Sequence, residues 1–307
     1  MKIGTNKTTL NFDWYLTDWC NYNCYYCSVK HFMVDHFKEI TYSDYKVPLQ
    51  RLKMLIDPFD IELAGGEPTL HPELINIVDT LTHIKVCNKV AITTNLSRSL
   101  DFYLKLISRA ETSKLCISGS FHPEYHKDNS TFIEKAIALS SKDIVFIGDL
   151  ILSDREEYWD SIIDTYNKLS ENGIKIGYTV LHSVPAHKAV YSDEFYKVFS
   201  NIMDSSSSEG MEIRYEFDSG SIEYINYVDI YNRGLHKTKG FTCNAYYYTI
   251  ALDGRIRRMC NNEVIPINMK DIKKTIICPQ RVCDCETRLD LYKHNESVNI
   301  NINSPKT

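Results

Sequence analysis

Short apolar runs alternate with longer stretches of helical spacing along the first two-thirds of the chain. The alternation is clearest where Phe59, Ile61 and Leu63 are separated by acidic residues. Runs of this kind predict strands over Phe12 to Leu16, Ile61 to Ala64, Lys89 to Thr93, Lys114 to Ser120, Ile144 to Leu150 and Lys175 to Leu181. Between them, apolar residues recurring every three or four positions predict helices over Ser43 to Leu55, Pro72 to Ile84, Leu100 to Arg109, Ser130 to Leu139 and Glu156 to Glu171. Gly173 stands where a helix C-cap is expected. Strands alternating with helices are the pattern of βαβ units, hence of an α/β fold with a parallel sheet.

Further on, Asp204-Ser205-Ser206-Ser207-Ser208-Glu209-Gly210 reads as a flexible connection, and a β-like run over Met211 to Phe217 and a tyrosine-rich segment over Ile222 to Tyr231 follow it. Tyr246 to Ile256 holds two β-rich runs joined by Asp253-Gly254, a tight hairpin. The tail after Glu296 is polar and expected to be disordered. The organisation expected is a catalytic unit over residues 8–205, a connecting segment over 206–240, a cysteine-rich hairpin unit over 241–295 and a tail over 296–307.

Composition narrows the function. A chain of 307 residues buries a sizeable core, and no run has the shape of a signal peptide or a membrane span. Ten cysteines in so large a chain read as reduced thiols serving metal rather than a disulfide framework, so a cytoplasmic location is expected. The net charge of −5 argues against a nucleic-acid partner, and the basic stretches at Arg255 to Arg258 and Lys273-Lys274 read as solvated surface.

Eight of the ten cysteines belong to two groups that carry candidate chemistry. Cys20, Cys24 and Cys27 lie in the run Cys-Asn-Tyr-Asn-Cys-Tyr-Tyr-Cys, a spacing that offers three soft thiolates to one iron-sulfur cluster and withholds a fourth, leaving one iron open. By spacing alone these cysteines also suit part of a zinc site. About one βα unit downstream, Gly65-Gly66-Glu67-Pro68 follows the next strand. Together the Cys-x3-Cys-x-aromatic-Cys motif, with Tyr26 as its aromatic, and the Gly-Gly-Glu-Pro motif resemble the radical S-adenosylmethionine (SAM) superfamily.

The resemblance implies a partial (β/α)6 TIM-type barrel with a small C-terminal cysteine-rich hairpin extension. It implies a [4Fe-4S] cluster on Cys20, Cys24 and Cys27, whose open iron chelates SAM. Gly65, Gly66, Glu67 and Pro68 would then meet the SAM ammonium, the glycines admitting close backbone approach. An electron donor such as flavodoxin or ferredoxin is an expected partner. In barrels of parallel strands the chemistry sits at the C-terminal strand ends. By resemblance, Asn95, Ser118 and Asp149 are candidates to hold the ribose and carboxylate of SAM. His122, Glu124, His126 and His182 are candidates to handle a substrate proton or to be ordinary loop residues. Alternation puts Cys116, Ser118 and Ser120 on one strand face.

The second group is Cys243, Cys260, Cys278, Cys283 and Cys285, within 43 residues around the hairpin. It resembles the SPASM and twitch extensions of the same superfamily, implying one auxiliary [4Fe-4S] cluster, with zinc as the alternative. Cys243, Cys260 and Cys283 are the leading ligands, and Cys278 and Cys285 compete for the fourth place. The reaction expected is hydrogen abstraction from a small polar substrate, a sugar or glycan-type alcohol that is oxidised or epimerised. Cys116 or the surplus cysteine is the thiol that an epimerase would need. A peptide maturase and a non-catalytic metal-stabilised scaffold are the alternatives.

Overall fold

The computed structural model describes residues 1–4, 9–27, 43–126, 128–181, 191–205, 212–226, 230, 233–244, 246–259, 263–266, 272–278 and 293–294. A two-residue strand, Lys2–Ile3 (β1), precedes the βα series: Leu10–Tyr15 (β2), Lys46–Lys53 (α1), Phe59–Ala64 (β3), Leu74–Thr82 (α2), Cys87–Thr94 (β4), Leu100–Arg109 (α3), Leu115–Phe121 (β5), Ser130–Ser140 (α4), Val145–Leu152 (β6), Trp159–Glu171 (α5) and Lys175–Val180 (β7). Each strand and helix predicted for the series is present, with ends displaced by up to three residues. The α/β expectation holds, and α5 ends as expected. Gly173 takes φ +65°, its amide donates to Ser170 O and that of Ile174 to Leu169 O, the paired bonds of a Schellman cap.

A further helix, Asp193–Ser205 (α6), follows β7. Its Phe195, Phe199 and Ile202 are buried at helical spacing, and both phenylalanine rings meet Trp159 of α5 edge-on. The 3.6-residue period was there to be read.

Strands β2 to β7 pair in chain order, all parallel. One face of this sheet packs against the helices. Phe12, Trp14, Ile61, Leu63, Val90, Ile92, Leu115, Ile117, Phe146 and Leu150 all belong to that core. The residues between them, such as Asp13, Glu62, Thr93, Ser118 and Asp149, occupy the other, inner face. The alternation of the sequence thus becomes an apolar outer layer and a polar inner one.

The rest of the chain is less separate than its sequence suggests. Glu212–Glu216 (β8) and Ile222–Asn226 (β9) form an antiparallel hairpin within the stretch read as a connector. Thr242–Cys243 (β10) precedes the Asp-Gly hairpin, whose strands are Tyr247–Ile250 (β11) and Ile256–Arg258 (β12); Ile276–Ile277 (β13) and Lys293–His294 (β14) follow. The hairpin joins the barrel sheet, β11 lying parallel to β2 with Tyr247 opposite Asn11 and Ile250 opposite Trp14. The main sheet therefore has eight strands, in the order β12-β11-β2-β3-β4-β5-β6-β7. A second sheet, β13-β10-β14-β1-β8-β9, gathers the first residues of the chain with the late strands.

Polar ties fasten the late segments to the barrel. The Arg51 guanidinium on α1, buried, donates to the carbonyls of Ile265 and Pro266, each at 2.7 Å. Lys273 reaches Asp57 at 2.8 Å. Among the described residues no helix is long and apolar enough to cross a membrane.

Candidate active site

The cysteine loop leaves the C-terminal end of β2 and returns beside it. On its return, the Ser43 amide donates to Leu16 O at 2.8 Å, and the Trp14 indole donates to the Ser43 hydroxyl at 3.1 Å. The outgoing arm runs along the Gly-Gly-Glu-Pro turn as an extension of the β2–β3 ladder. Leu16 N donates to Ala64 O, Gly66 N to Thr17 O and Glu67 N to Trp19 O, all within 2.8–2.9 Å.

This contact explains the glycines in a way the sequence did not foretell. A Cβ at Gly66 would lie 2.2 Å from Trp19 O, and one at Gly65 2.3 Å from Thr17 O; Gly65 also takes φ +145°, open only to glycine. The close approach they permit is that of the chain's own backbone just ahead of Cys20.

The Glu67 carboxylate is taken up by groups of the chain itself. Glu67 is 1% exposed. Oε1 accepts the Thr69 amide, the Thr69 hydroxyl and the Thr94 hydroxyl, and Oε2 accepts the Asn95 amide at 2.7 Å. Burial pushes its pKa up, and these donors oppose the shift. Glu67 binds the turn to the end of β4, and Pro68 opens the short 3-10 turn Pro68–Leu70 that follows.

Asn95, also buried, is held by groups of the chain itself. Its Nδ2 donates to Asn21 Oδ1 at 3.0 Å and toward Cys20 Sγ at 3.9 Å, and its Oδ1 accepts the Ser97 amide at 3.0 Å.

The three loop cysteines are not joined in disulfides. Cys20 Sγ accepts the Tyr22 amide at 3.3 Å, and the Cys27 amide donates to Cys24 O at 3.2 Å in a turn that carries both thiols. Cys24 and Tyr26 pack against Ile151 near the end of β6 and Leu181 just past β7. Among the described residues no group of three or more His, Cys, Asp or Glu is arranged around a single ion. A cubane takes each thiolate on a different iron, so its ligands stand further apart than those of one ion. Soft thiols outside any disulfide on a short loop, with N–H donors aimed at sulfur, fit such a cluster.

Aromatic residues pin the loop to the other strand ends. The Tyr25 hydroxyl donates to Asp154 Oδ1 at 2.6 Å and lies 3.0 Å from the Ser153 hydroxyl, with the Arg155 guanidinium 3.8 Å from the ring centroid. Tyr22 stacks on Tyr125 at 4.1 Å, and the Tyr125 hydroxyl accepts the Asn23 amide. Sequence reasoning missed these partners.

His122 faces this lattice. The Tyr26 phenol oxygen lies 2.8 Å from its Nδ1, and Cys24 Sγ is 3.6 Å from the same nitrogen. Burial pushes the His122 pKa down to about 3, so the ring is neutral at ordinary pH. In this structure it supports the loop. His126, pushed down by burial to about 4, stacks on Phe121. His182 lies outside the described residues.

The inner face of the sheet lies below the loop. Thr93 donates to Glu62 Oε1 at 2.8 Å, and Thr179 donates to Asp149 Oδ2 at 3.1 Å. The Tyr247 hydroxyl from the late hairpin donates to Asp13 Oδ2. Ser118 is half-buried, in register with Thr93 and Ile147. Cys116 is 3% exposed and lies two residues nearer the N-terminal end of β5, its thiol pKa pushed up by burial. Burial also pushes Asp149 up to about 6, and Glu62 adds to the shift.

Of the second cysteine group, Cys243 and Cys278 are described, both buried in the core of the smaller sheet. Cys243 pairs with Ile276, and Cys278 lies two residues further along the same side, so the two share a face as diagonal neighbours. The Thr238 hydroxyl is 3.5 Å from Cys278 Sγ. Cys260, Cys283 and Cys285 lie outside the described residues.

Residues 14–192, more than half of the chain, match the profile of the Radical SAM superfamily. The chain belongs to this superfamily. It is 32% identical over 106 residues to the GTP 3',8-cyclase of Mannheimia succiniciproducens, 30% of each protein. To that of Stenotrophomonas maltophilia it is 36% identical over 80 residues, 26% of this chain and 24% of the cyclase. The match thus spans under a third of the cyclases' length. Among solved structures, anSMEcpe with bound AdoMet and a peptide superimposes with a TM-score of 0.52 at 14% identity, covering 87% of this chain and 80% of that one. Streptococcus suis SuiB gives 0.51 at 15% identity, covering 81% and 59%. At such identities the likeness is one of fold. Membership of the radical SAM superfamily implies a [4Fe-4S] cluster and SAM as cofactors.

Two outcomes are expected. Gly66→Ala forces Trp19 aside, so the reconstituted protein should lose most of its front-cluster iron and SAM-responsive EPR signal while keeping native far-UV circular dichroism; full iron loading would contradict the backbone account. Asp149 has a folded-state pKa above its unfolded value of 3.8, so the fold binds the extra proton and loses stability as pH rises from about 4 to about 6. Asp149→Asn removes that loss. It should be more stable than wild type at pH 7 by on the order of 1–2 kcal/mol, allowing for partial solvent access, and equal to it at pH 3.5, by urea denaturation.

Proposed function

We propose that this radical SAM enzyme acts on a small polar substrate, a sugar or glycan-type alcohol, and that it oxidises it. With cluster and SAM bound, the chemistry supplied is a 5′-deoxyadenosyl radical that abstracts hydrogen from an unactivated carbon. The chain's own task is to hold the cluster loop, orient the substrate and keep water out.

The observation that carries the reading is the lining of the inner face. Asp13, Glu62, Thr93, Ser118, Asp149 and Thr179 offer carboxylates and hydroxyls at alternate strand positions. Such groups suit the donors and acceptors of a polyhydroxylated ligand. GTP, named for the cyclases, carries a triphosphate, which carboxylates at these positions would repel.

Oxidation is favoured over epimerisation by the depth of Cys116. A thiol that returns hydrogen must reach the substrate carbon. Cys116 is buried and two residues, about 6–7 Å, further from the strand ends than Ser118. Oxidation in turn needs an electron acceptor. Cys243 and Cys278, buried on one sheet face, are proposed as two ligands of an auxiliary [4Fe-4S] cluster, with Cys260 and either Cys283 or Cys285 completing it. Cys278 thereby moves ahead of its earlier standing as a competitor for the last place.

The decisive measurement is 5′-deoxyadenosine formation by the anaerobically reconstituted protein with dithionite, with sugars and glycans screened beside nucleotides and peptides. Cys20, Cys24 and Cys27 all replaced by Ala serves as the control. Wild type should form it with an alcohol substrate and yield the carbonyl product, and the control should form none. Turnover of a nucleotide or peptide alone would sink the alcohol reading, and absence of iron at the front site would favour a non-catalytic scaffold. For the extension, Cys278→Ala should lower iron by several atoms per chain, whereas loss of zinc instead would contradict the auxiliary cluster.

A further inference from the structure

We infer that Asn95 is a positioning residue for the front cluster, holding an N–H donor against the sulfur of Cys20 and so raising the cluster's reduction potential, with Glu67 aiming it. The inference rests on the reading that Cys20 is a cluster ligand.

Hydrogen bonds to a cluster thiolate stabilise the reduced, more negative state and raise its potential. N–H groups that point at Cys20 Sγ include the backbone amide of Tyr22 at 3.3 Å and the side-chain amide of Asn95 at 3.9 Å. The Tyr22 donor belongs to the loop itself and travels with it. The Asn95 donor comes from the end of β4, a different element, and is 4% exposed. Its orientation is fixed from three directions. Oδ1 accepts the Ser97 amide at 3.0 Å, Nδ2 also donates to Asn21 Oδ1 at 3.0 Å, and the backbone amide is held by Glu67 Oε2 at 2.7 Å. An amide that offers oxygen to Ser97 must offer its NH2 to the cysteine loop.

Glu67 completes the arrangement by rigidity. Its carboxylate also takes the Thr94 hydroxyl at 2.7 Å, so both residues that end the β4 segment are tied to one buried anion. The next residue, Leu96, sits at φ +53°, a left-handed conformation unusual for leucine, and its amide donates back to the Thr94 hydroxyl at 3.2 Å. This strained corner is held by those bonds and by Lys135, which reaches Leu96 O at 2.7 Å. Glu67 thus acts at a distance, through the backbone of Asn95.

The test compares wild type, Asn95→Leu, Glu67→Gln and Asn21→Ala as reconstituted full-length proteins. The front cluster is identified by the change in its EPR signal on adding SAM, and its midpoint potential is measured by dye-mediated titration. Asn95→Leu, close in volume but without donors, should keep the SAM-responsive cluster and shift its potential negative. Glu67→Gln, which sets an NH2 against the Asn95 amide or turns an oxygen from the Thr donors, should shift it in the same direction. Asn21→Ala removes the competing acceptor and should leave the potential at or above that of wild type. An unchanged potential in Asn95→Leu would overturn the inference, as would an equal negative shift in Asn21→Ala, which would assign the effect to loop anchoring. Should Asn95→Leu fail to load iron, the Glu67→Gln and Asn21→Ala potentials decide alone. A wild type without a SAM-responsive cluster would instead overturn the cluster reading beneath it.

Discussion

Three parallel backbone bonds between Leu16–Trp19 and Ala64–Glu67 are the constraint on which the site depends. They carry the β2–β3 ladder past the ends of both strands and lay one motif along the other. Main-chain bonds of this kind need the two chains at contact distance, which only residues without a Cβ allow at positions 65 and 66. The arm that presents Cys20 is therefore set by the sheet itself and not by the flexible part of the loop. Glu67 then converts the turn into a joint, since one buried carboxylate gathers donors from its own turn and from the end of β4. Such a buried acid is tolerable because its oxygens are saturated with donors.

Electrostatics divides the molecule into two faces of one sheet. The helix-facing side is largely apolar. The inner side carries Asp13, Glu62 and Asp149, each receiving a hydroxyl from Tyr247, Thr93 and Thr179 respectively. Hydroxyl donors keep these carboxylates oriented without neutralising them, so the inner face stays acceptor-rich. Tyr15 shows the same field from the other side, its phenol pushed up to about 12 by burial and by the neighbouring Asp13 and Glu62.

What was legible in the sequence was what depends on local spacing. The alternation at Phe59, Ile61 and Leu63 gave its strand, and the Cys-x3-Cys-x-Tyr-Cys run gave a loop ahead of a βα unit. Glu67 and Asn95 were picked out as site residues, but their partners were not, because whether a carboxylate faces a ligand or a neighbouring strand end is decided by tertiary packing. The contact between His122 and Tyr26 was hidden for the same reason, since nothing local to either residue reveals the pairing. The β11–β2 contact was the least legible, since strands more than 230 residues apart in the chain pair through backbone groups that every residue carries.

That pairing also sets how the chain can be divided. Strand β2 has β3 on one side and β11 on the other, and the tethers from Arg51 to Ile265 and Pro266 hold the late segment against the first helix. A fragment ending near residue 205 would bare the amides and carbonyls of Asn11 to Trp14 along an open strand edge, directly beneath the loop that carries the cysteines. Raw edges of this sort recruit other chains. The cysteine-rich segment thus serves as the selvage of the barrel's sheet, and exchanging it between relatives would require a replacement strand as well as replacement ligands.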